Sequence, residues 1–508
     1  MATLNERLSL SLQILKEFQD KHSKLIFTGE GTIGRTHLRR LLDNGYLERI
    51  IKGWYMPSFP GREGDTSIWY ACFWDFIVEY CNNRFGQEWS LTPEESLAIH
   101  SGNYMIPNQI VIRSPKASNN VITLKHGNSM LDITASLPQH SFTEPRFGIK
   151  LYPIPEALAM ASPGYFQSEK INARTCLATI ESASDILRVV TENGNSLRAG
   201  RIAGAMRNIG RGDISDEILT TMSRLGYDVR EDDPFEDKII IPFSESPYSA
   251  RIRLTWMDMR NQILDEALDF SAVKKVDTDD IIMKMDERYV NDAYNSLSIE
   301  GYRVTEELIK KVRDGNWNPD DDKDDAERKN ALAARGYYQA FKRVRESVSA
   351  ILSGENPGEV FDKEHDNWHF ELFEPCVQAG IISISELIGY RNSQVYIRGS
   401  KHTPLNPEAV RPAMKTLCEL MKTEDNSFIR SILGHFFFVY IHPYMDGNGR
   451  TARFVLNSML CSSNFPWTIV PLDKRESYMQ VLEAASVGND IRPFAHFIYN
   501  LMINDVIQ

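Results

Sequence analysis

The sequence predicts a mainly α-helical fold with an α+β middle region and a small N-terminal module, and one observation supports each part. After about residue 281 the chain is mostly helical in its pattern, with apolar residues at helical spacing in NSFIRSILGHFFFVYI and TARFVLNSMLCSS. Residues 61–200 mix helical stretches with strand-like pieces such as NQIVIRSP and NNVITLKHG, which indicates an α+β region. Residues 1–60 are expected to form short helices followed by the hairpin GYLERIIKGWYMP, which turns at Gly53.

The length of the chain predicts several domains, because 508 residues exceed what one hydrophobic core usually holds. The pattern divides the chain into an N-terminal module (1–60), an α+β region of unknown role (61–200), a helical connector with an acidic linker (201–280) and a helical region (281–508).

Composition excludes several classes of protein. Hydrophobic residues make up 42% and charged residues 25%, which is typical of a globular protein. Six scattered cysteines without a CxxC pair indicate reduced thiols rather than disulfides or a zinc site. The start lacks the apolar run of a signal peptide, and no stretch approaches the roughly 20 apolar residues of a membrane span. We therefore expect a cytoplasmic protein with no membrane partner.

Charge argues against general attraction to nucleic acid, because the formal net charge is −12. Residues 1–56 differ, with nine Lys/Arg against six Asp/Glu, or net +3. This segment resembles the winged N-terminal modules of abortive-infection antitoxin-type regulators, with RTHLRRLLDNG as recognition helix and RIIKGWY as wing. The resemblance implies DNA contact by four side chains: Arg35, His37, Arg39 and Arg40. The alternative is a module that only packs against its neighbours or binds protein.

The segment HPYMDGNGRTAR, residues 442–453, carries the strongest chemical signal. Two glycines around an asparagine allow a tight turn before a helix, whose first N–H groups form an anion site. Two arginines at a helix N-terminus oppose the helix dipole, which makes sense if they hold a polyphosphate. A histidine here can accept a proton from a hydroxyl, and an aspartate can hold Mg²⁺. These are the parts of a phosphoryl- or nucleotidyl-transfer site.

This segment resembles the signature of Fic-domain proteins, H-x-F-x-[DE]-G-N-G-R-x-x-R, with Tyr444 in place of the usual phenylalanine. The tyrosine is expected to be tolerated if its hydroxyl finds a partner. The resemblance implies a Fic-type all-helical catalytic core at about 365–500 that transfers AMP from Mg²⁺-bound ATP to a hydroxyl of a target protein. It makes His442 the base, Asp446 the Mg²⁺ ligand and five residues the phosphate site: Gly447, Asn448, Gly449, Arg450 and Arg453.

The resemblance extends upstream to residues 389–421, which look like the β-hairpin flap of the family and the helix after it. The flap is implied to pair with the backbone of the target through Ser393, Gln394, Val395, Tyr396 and Ile397. The alternative is a hairpin that only belongs to the core. The resemblance also allows a homodimer.

NSLSIEGYRVTEEL, residues 295–308, fits the inhibitory pattern [ST]-x-x-x-E-[GN] of the family through Ser296, Glu300 and Gly301. The inhibitory segment is expected at 290–305, with serine and glutamate on one helical face and the glycine ending the helix. In the family this glutamate pairs with the second arginine of the signature, here Arg453, and in some relatives it helps remove AMP. By charge alone, a carboxylate can compete with phosphate for a guanidinium.

Two other functions stay open at this stage. One is a DNA-binding regulator whose Fic core only senses a nucleotide, although the intact histidine argues against it because sensing needs no base. The other is a transferase that uses another donor, such as UTP, because residue spacing does not reveal the shape of the base pocket.

Overall fold

The structure is a computed structural model that describes residues 3–22, 27–28, 33–61, 66–192, 194–241, 243, 246–317 and 325–504. The chain divides into two compact units. The first comprises Met1–Pro247 and Tyr396–Thr403, and the second comprises Tyr248–Val395 and Pro404–Gln508.

The first unit begins with two helices and a small sheet. These elements are α1 (Leu4–His22), β1 (Phe27–Thr28), α2 (Arg35–Asp43), β2 (Leu47–Ile51) and β3 (Trp54–Pro57). The strands form an antiparallel sheet in the order β1-β3-β2. Gly53 has a φ of +85° between β2 and β3, a value that glycine adopts without strain. The predicted hairpin with its turn at Gly53 is confirmed.

Two of the four side chains predicted to face DNA instead bond to α1. The Nδ1 atom of His37 lies 3.0 Å from the Ser11 hydroxyl, and Arg40 donates to the same hydroxyl at 2.8 Å. Arg39 is exposed and lies 3.7 Å from Asp43. The difference arises because α1 packs over one side of α2, which turns His37 and Arg40 inward. DNA contact stays a prediction.

The rest of the first unit combines a mixed sheet with helices. Its strands are β4 (Ser90–Leu91), β5 (Gln109–Ser114), β6 (Val121–Thr123), β7 (Ser129–Thr134), β8 (Phe142–Thr143) and β9 (Lys150–Leu151). The first four form a sheet in the order β4-β5-β7-β6, in which β5 and β7 are parallel, and β8 pairs with β9. The helices are α3 (Ser67–Phe85), α4 (Pro93–His100), α5 (Ile154–Met160), α6 (Pro163–Ser168), α7 (Lys170–Ala178), α8 (Ala183–Glu192), α9 (Ser196–Asn208) and α10 (Gly212–Arg224).

The second unit is helical, as the pattern after residue 281 predicts. Its helices are α11 (Pro247–Asp265), α12 (Ile281–Ile299), α13 (Glu306–Arg313), α14 (Asp325–Leu352), α15 (Pro357–Gln378), α16 (Ile384–Leu387), α17 (Pro407–Thr423), α18 (Ser427–Ile441), α19 (Asn448–Cys461), α20 (Arg475–Gly488) and α21 (Arg492–Asn504). One hydrophobic core runs through it and includes residues of α11, such as Trp256 and Met259. The structure thus divides the chain before α11, within the segment 201–280 that the pattern assigns to a connector.

Candidate active site

The HPYMDGNGRTAR segment follows α18 directly and continues into the first turns of α19. The helix α18 ends at Ile441, and His442 takes a left-handed conformation with a φ of 55° before Pro443. The next helix begins at Asn448, directly after Gly447, which has a φ of 83°. The predicted order of helix, tight loop and helix is confirmed.

His442 is held as a neutral imidazole. Its Nδ1 atom lies 3.1 Å from the carbonyl oxygen of Val439, which can only accept a hydrogen bond. The proton therefore resides on Nδ1, and Nε2 keeps the lone pair. Desolvation, helped by the positive charge of Arg391, lowers the pKa of His442 to about 4. A neutral imidazole with an unprotonated Nε2 is the form that a general base requires.

Asp446 presents a carboxylate to solvent beside this histidine. Its side chain is 68% exposed, and one carboxylate oxygen accepts a 2.6 Å hydrogen bond from the N–H of Gly447. The carbonyl oxygen of Asp446 lies 2.9 Å from Nε2 of His369, which fixes the backbone here. Among the residues that the structure describes, no group of three or more His, Cys, Asp or Glu is arranged to hold a metal ion. Because its carboxylate is exposed, Asp446 could hold Mg²⁺ in the mode that uses one carboxylate plus phosphate oxygens and waters.

The loop before α19 is closed by Asn448 and shaped by Gly447. The side chain of Asn448 is buried, accepts from the N–H of Tyr444 at 3.0 Å and donates to its carbonyl at 2.9 Å. Asn448 can therefore serve a phosphate through its backbone N–H, while its amide shapes the loop. A Cβ atom at Gly447 would lie 2.7 Å from the ring of Phe373, so the loop has no space for a side chain there.

Arg450 is a buried cation at the start of α19. Only 1% of its side chain is exposed, and its guanidinium lies between the rings of Tyr302 and Phe373, at 5.2 Å and 4.9 Å from their centroids. Its nearest carboxylate oxygen, on Asp446, is 3.5 Å away. The buried Nε has no hydrogen-bond partner among the described residues. A buried, incompletely satisfied guanidinium at a helix N-terminus is suited to bind an anion.

Arg453, one turn further along α19, is bound to the predicted inhibitory segment. Its Nε donates to the Ser296 hydroxyl at 2.9 Å, and its Nη2 donates to Oε1 of Glu300 at 2.8 Å. The carboxylate also lies directly over Gly449, where an added Cβ would be 2.4 Å from Oε1. Gly301 has a φ of +89° and follows the last turn of α12, so the expected helix end is confirmed. The structure thus brings Ser296, Glu300, Gly449 and Arg453 together.

The flap segment is a loop rather than a strand-paired hairpin. No strand is assigned between residues 389 and 406, all of which the structure describes. Gln394 instead donates from its side chain to the carbonyl of Pro404 at 2.7 Å. Ser393 donates to the sulfur of Met445 at 3.2 Å. Ser393–Val395 belong to the second unit with His442, whereas Tyr396 and Ile397 belong to the first unit.

Several residues around the site have no signal in the local sequence. His369 stacks on Tyr444 with a centroid distance of 3.6 Å, and the Tyr444 hydroxyl donates to the carboxylate of Asp366. The expectation that this hydroxyl finds a partner is confirmed. A cavity of about 620 Å³ opens between this pair and residues 382–393. Only their positions could have drawn attention to Tyr302 and Arg391. Tyr302 directly follows the inhibitory pattern, and Arg391 lies two residues before Ser393 of the flap.

Replacing Tyr444 with phenylalanine is expected to lower the free energy of unfolding by about 0.5–1.5 kcal/mol, because one hydrogen bond is lost while the ring stack remains. Chemical denaturation would measure this change. Asp366→Ala should give a similar loss, and the double variant should lose less than the sum if the two groups interact. A fully additive double variant would contradict the contact.

Comparison with known proteins identifies the region that carries this site. The model of the Fic/DOC family matches residues 365–460, which include His442, Asp446 and both arginines of the loop. The chain contains a Fic domain.

The Fic domain aligns with curated relatives over a limited length. A protein adenylyltransferase Fic from Nematostella vectensis is 38% identical over 113 residues, which are 22% of this chain and 26% of the relative. Protein adenylyltransferase fic-1 from Caenorhabditis elegans is 37% identical over 112 residues, or 21% of this chain and 22% of the relative. The chain therefore spans about a quarter of the length of the curated relatives it matches. The solved structure of residues 134–508 of Caenorhabditis elegans Fic-1 aligns with a TM-score of 0.37 at 19% identity, covering 66% of this chain and 90% of that one.

The matched Fic region contains the flap residues and the loop, whereas Ser296 and Glu300 precede it. The contact of Glu300 with Arg453 therefore joins the domain to a helix outside the matched region. In the part of the chain that the structure describes, no helix combines the length and apolarity that crossing a bilayer would need.

Proposed function

We propose that this chain is a self-inhibited protein adenylyltransferase, which transfers AMP from ATP to a hydroxyl side chain of a target protein or of itself. The observation that carries the proposal is His442, a neutral imidazole with an available Nε2 next to the anion-binding start of α19. The names of the relatives that the Fic domain matches support AMP as the transferred group. The resemblance implies that Ser393–Ile397 hold the target backbone, and Ser393–Val395, which belong to the same unit as His442, are proposed to do so here.

In the proposed reaction, the target hydroxyl oxygen attacks the α-phosphorus of ATP. The bond between the α-phosphorus and the bridging oxygen of the β-phosphate breaks, and pyrophosphate leaves. Nε2 of His442 takes the proton of the hydroxyl, which gives a phosphodiester between AMP and the target. The N–H groups that begin α19 and the guanidinium of Arg450 stabilise the negative charge of the phosphates.

Asp446 is proposed to hold the Mg²⁺ that accompanies ATP. Bound Mg²⁺ would neutralise charge on the phosphate oxygens. The exposed carboxylate lies four residues before Arg450, so the metal ligand and the buried guanidinium flank the same loop.

Glu300 is proposed to be the brake. Its carboxylate occupies Arg453 and covers Gly449, where a phosphate would otherwise approach the loop. An anion and this carboxylate would compete for one guanidinium, so ATP would bind in a productive position only when Glu300 moves away.

The pH dependence of the rate should report the state of His442. The base must be neutral, and its pKa is lowered from the usual 6.5 to about 4. The rate is therefore expected to stay nearly constant from about pH 7 to pH 6 and to fall only as the pH approaches the pKa. Initial rates of AMP transfer, measured at several pH values with a variant lacking the brake, would check this. A half-maximal rate at pH 6.5 would contradict the lowered pKa.

The choice of donor tests the proposed function directly. Purified Glu300→Gly protein would be incubated with Mg²⁺ and α-³²P-labelled ATP, CTP, GTP or UTP, followed by gel analysis. Label from ATP at a level well above the others supports the proposal. Equal or stronger label from UTP would indicate a different transferase, and ATP binding without label from any donor would favour a nucleotide sensor.

A further inference from the structure

Arg391 connects the backbone at His442 to both ends of the flap segment, which is defined here as residues 393–405. The residue is 5% exposed, and its guanidinium reaches four carbonyl oxygens in the second unit. Nε donates to the carbonyl oxygen of His442 at 2.7 Å, and Nη1 donates to the carbonyl oxygen of Ser393 at 2.9 Å. Nη2 donates to Leu405 and, at 3.4 Å, to Ile441. One side chain thus connects three separate stretches of backbone.

The four acceptor carbonyls lie in two regions, the C-terminal end of α18 and the flap segment. Ile441 is the last residue of α18 and His442 caps the helix, and at such a helix end the carbonyl groups lack partners within the helix. Ser393 and Leu405 lie close to the points where the chain leaves the second unit after Val395 and returns to it at Pro404. The backbone N–H of Arg391 adds a 2.9 Å bond to the carbonyl of Pro443.

We propose that Arg391 is a positioning residue that locks the backbone of His442 to both ends of the flap, so that the base and the segment that holds the target keep one geometry. The proposal rests on the proposed function, because it assigns a new role within the same site. It explains how the left-handed backbone of His442 is maintained, since a residue with positive φ persists only when its surroundings hold it.

An arginine suits this role better than any other side chain. Its planar guanidinium offers five N–H donors in fixed directions, whereas the lysine ammonium is compact and cannot reach carbonyls on opposite sides. Substitution by lysine therefore removes the geometry and keeps the charge. Substitution by glutamine removes both.

The charge of Arg391 has a separate, measurable consequence. The charged groups that influence His442 are Arg391, Glu300 and Asp446, and Arg391 is the one that lowers its pKa. Loss of this charge should raise the pKa of His442, while Arg391→Lys should leave it low. A side chain that only packs would not produce this difference.

The test compares Arg391→Lys and Arg391→Gln, each in the Glu300→Gly protein, with Arg411→Lys as matched control. Arg411 is an exposed arginine 5.7 Å from the ring of Tyr390 and lies outside the site. Three quantities are measured: kcat and KM for ATP, hydrogen–deuterium exchange by mass spectrometry, and the titration of His442 by NMR of ¹³C-labelled histidine, assigned with His442→Ala.

Both Arg391 variants are expected to lower kcat at least about tenfold with KM for ATP within about twofold, because small misplacements of a base are costly. Exchange should become faster both in residues 393–405 and in residues 441–446. Only Arg391→Gln should raise the pKa of His442. If the glutamine variant does not fold, the hydrogen–deuterium exchange and kcat of the lysine variant decide whether the proposal holds.

The proposal is overturned if Arg391→Lys leaves exchange unchanged in either segment, or if its kcat equals that of the Arg411 control. A Glu300→Gly parent that labels nothing would instead defeat the proposed function. In that case exchange and titration still decide whether Arg391 joins the two segments, since neither depends on activity.

Discussion

Glu300→Gly is expected to raise the AMP labelling of this protein by about 10- to 100-fold. The substitution removes the charge-assisted hydrogen bond between Glu300 and Arg453. Loss of such a bond, at roughly 1.5–3 kcal/mol, would account for an increase of this size. It also clears the space over Gly449, where the carboxylate now lies. Initial rates with Mg²⁺ and α-³²P-ATP, for wild type and variant at equal concentration, measure the effect.

Two further variants separate the charge of Glu300 from its volume. Glu300→Gln keeps the shape but loses the negative charge, so it should release most of the inhibition. Glu307→Gln changes an exposed glutamate on α13 and should leave labelling at the level of the wild type. The brake is disproved if the Glu300 variants label no faster than the Glu307 control while their label still depends on His442.

His442→Ala in the Glu300→Gly protein is expected to reduce labelling by about 10²–10⁴-fold, the usual contribution of a general base. The loss arises because the substitution removes the Nε2 lone pair that is proposed to take the proton of the target hydroxyl. The measurement uses the same gel assay, extended to long incubation so that weak label is visible.

Binding of ATP provides the control for this loss. The Kd for Mg²⁺-ATP, measured by calorimetry, should stay within a few-fold of the parent, because the proposed phosphate site consists of the start of α19 and Arg450 rather than His442. His496→Ala removes a histidine that pairs with Glu266 away from the site and should keep full activity. Label above about a tenth of the parent in the His442 variant would show that another group is the base.

The local features of the fold could be predicted because they depend on neighbours in sequence. The end of α18 follows from Pro443, and the end of α12 follows from Gly301 with its left-handed backbone. The pairing of the N-terminal hairpin likewise follows from Gly53. The spacing of Ser296 and Glu300 places both on one face of a helix, which Arg453 then contacts.

The flap and the residues predicted to face DNA are features that the sequence did not predict correctly or that stay untested. Residues 393–404 form a loop in which the side chain of Gln394 bonds to the carbonyl of Pro404, where a hairpin was expected. His37 and Arg40 bond to α1, although the resemblance to winged modules implied that they face DNA. In both cases side-chain contacts formed in the folded chain replace the arrangement that the resemblance implied.

By itself, the sequence determined the chemical groups of the candidate site and their order along the chain, from His442 to Arg453, because turns, helix ends and anion-binding loops are local properties. Only the tertiary structure decided that Glu300 reaches Arg453 across 153 residues and that Tyr302 covers Arg450. It also decided that Arg391 bonds to the backbone carbonyls of both His442 and Ser393. These contacts come from the packing of distant helices, which no spacing within one segment encodes.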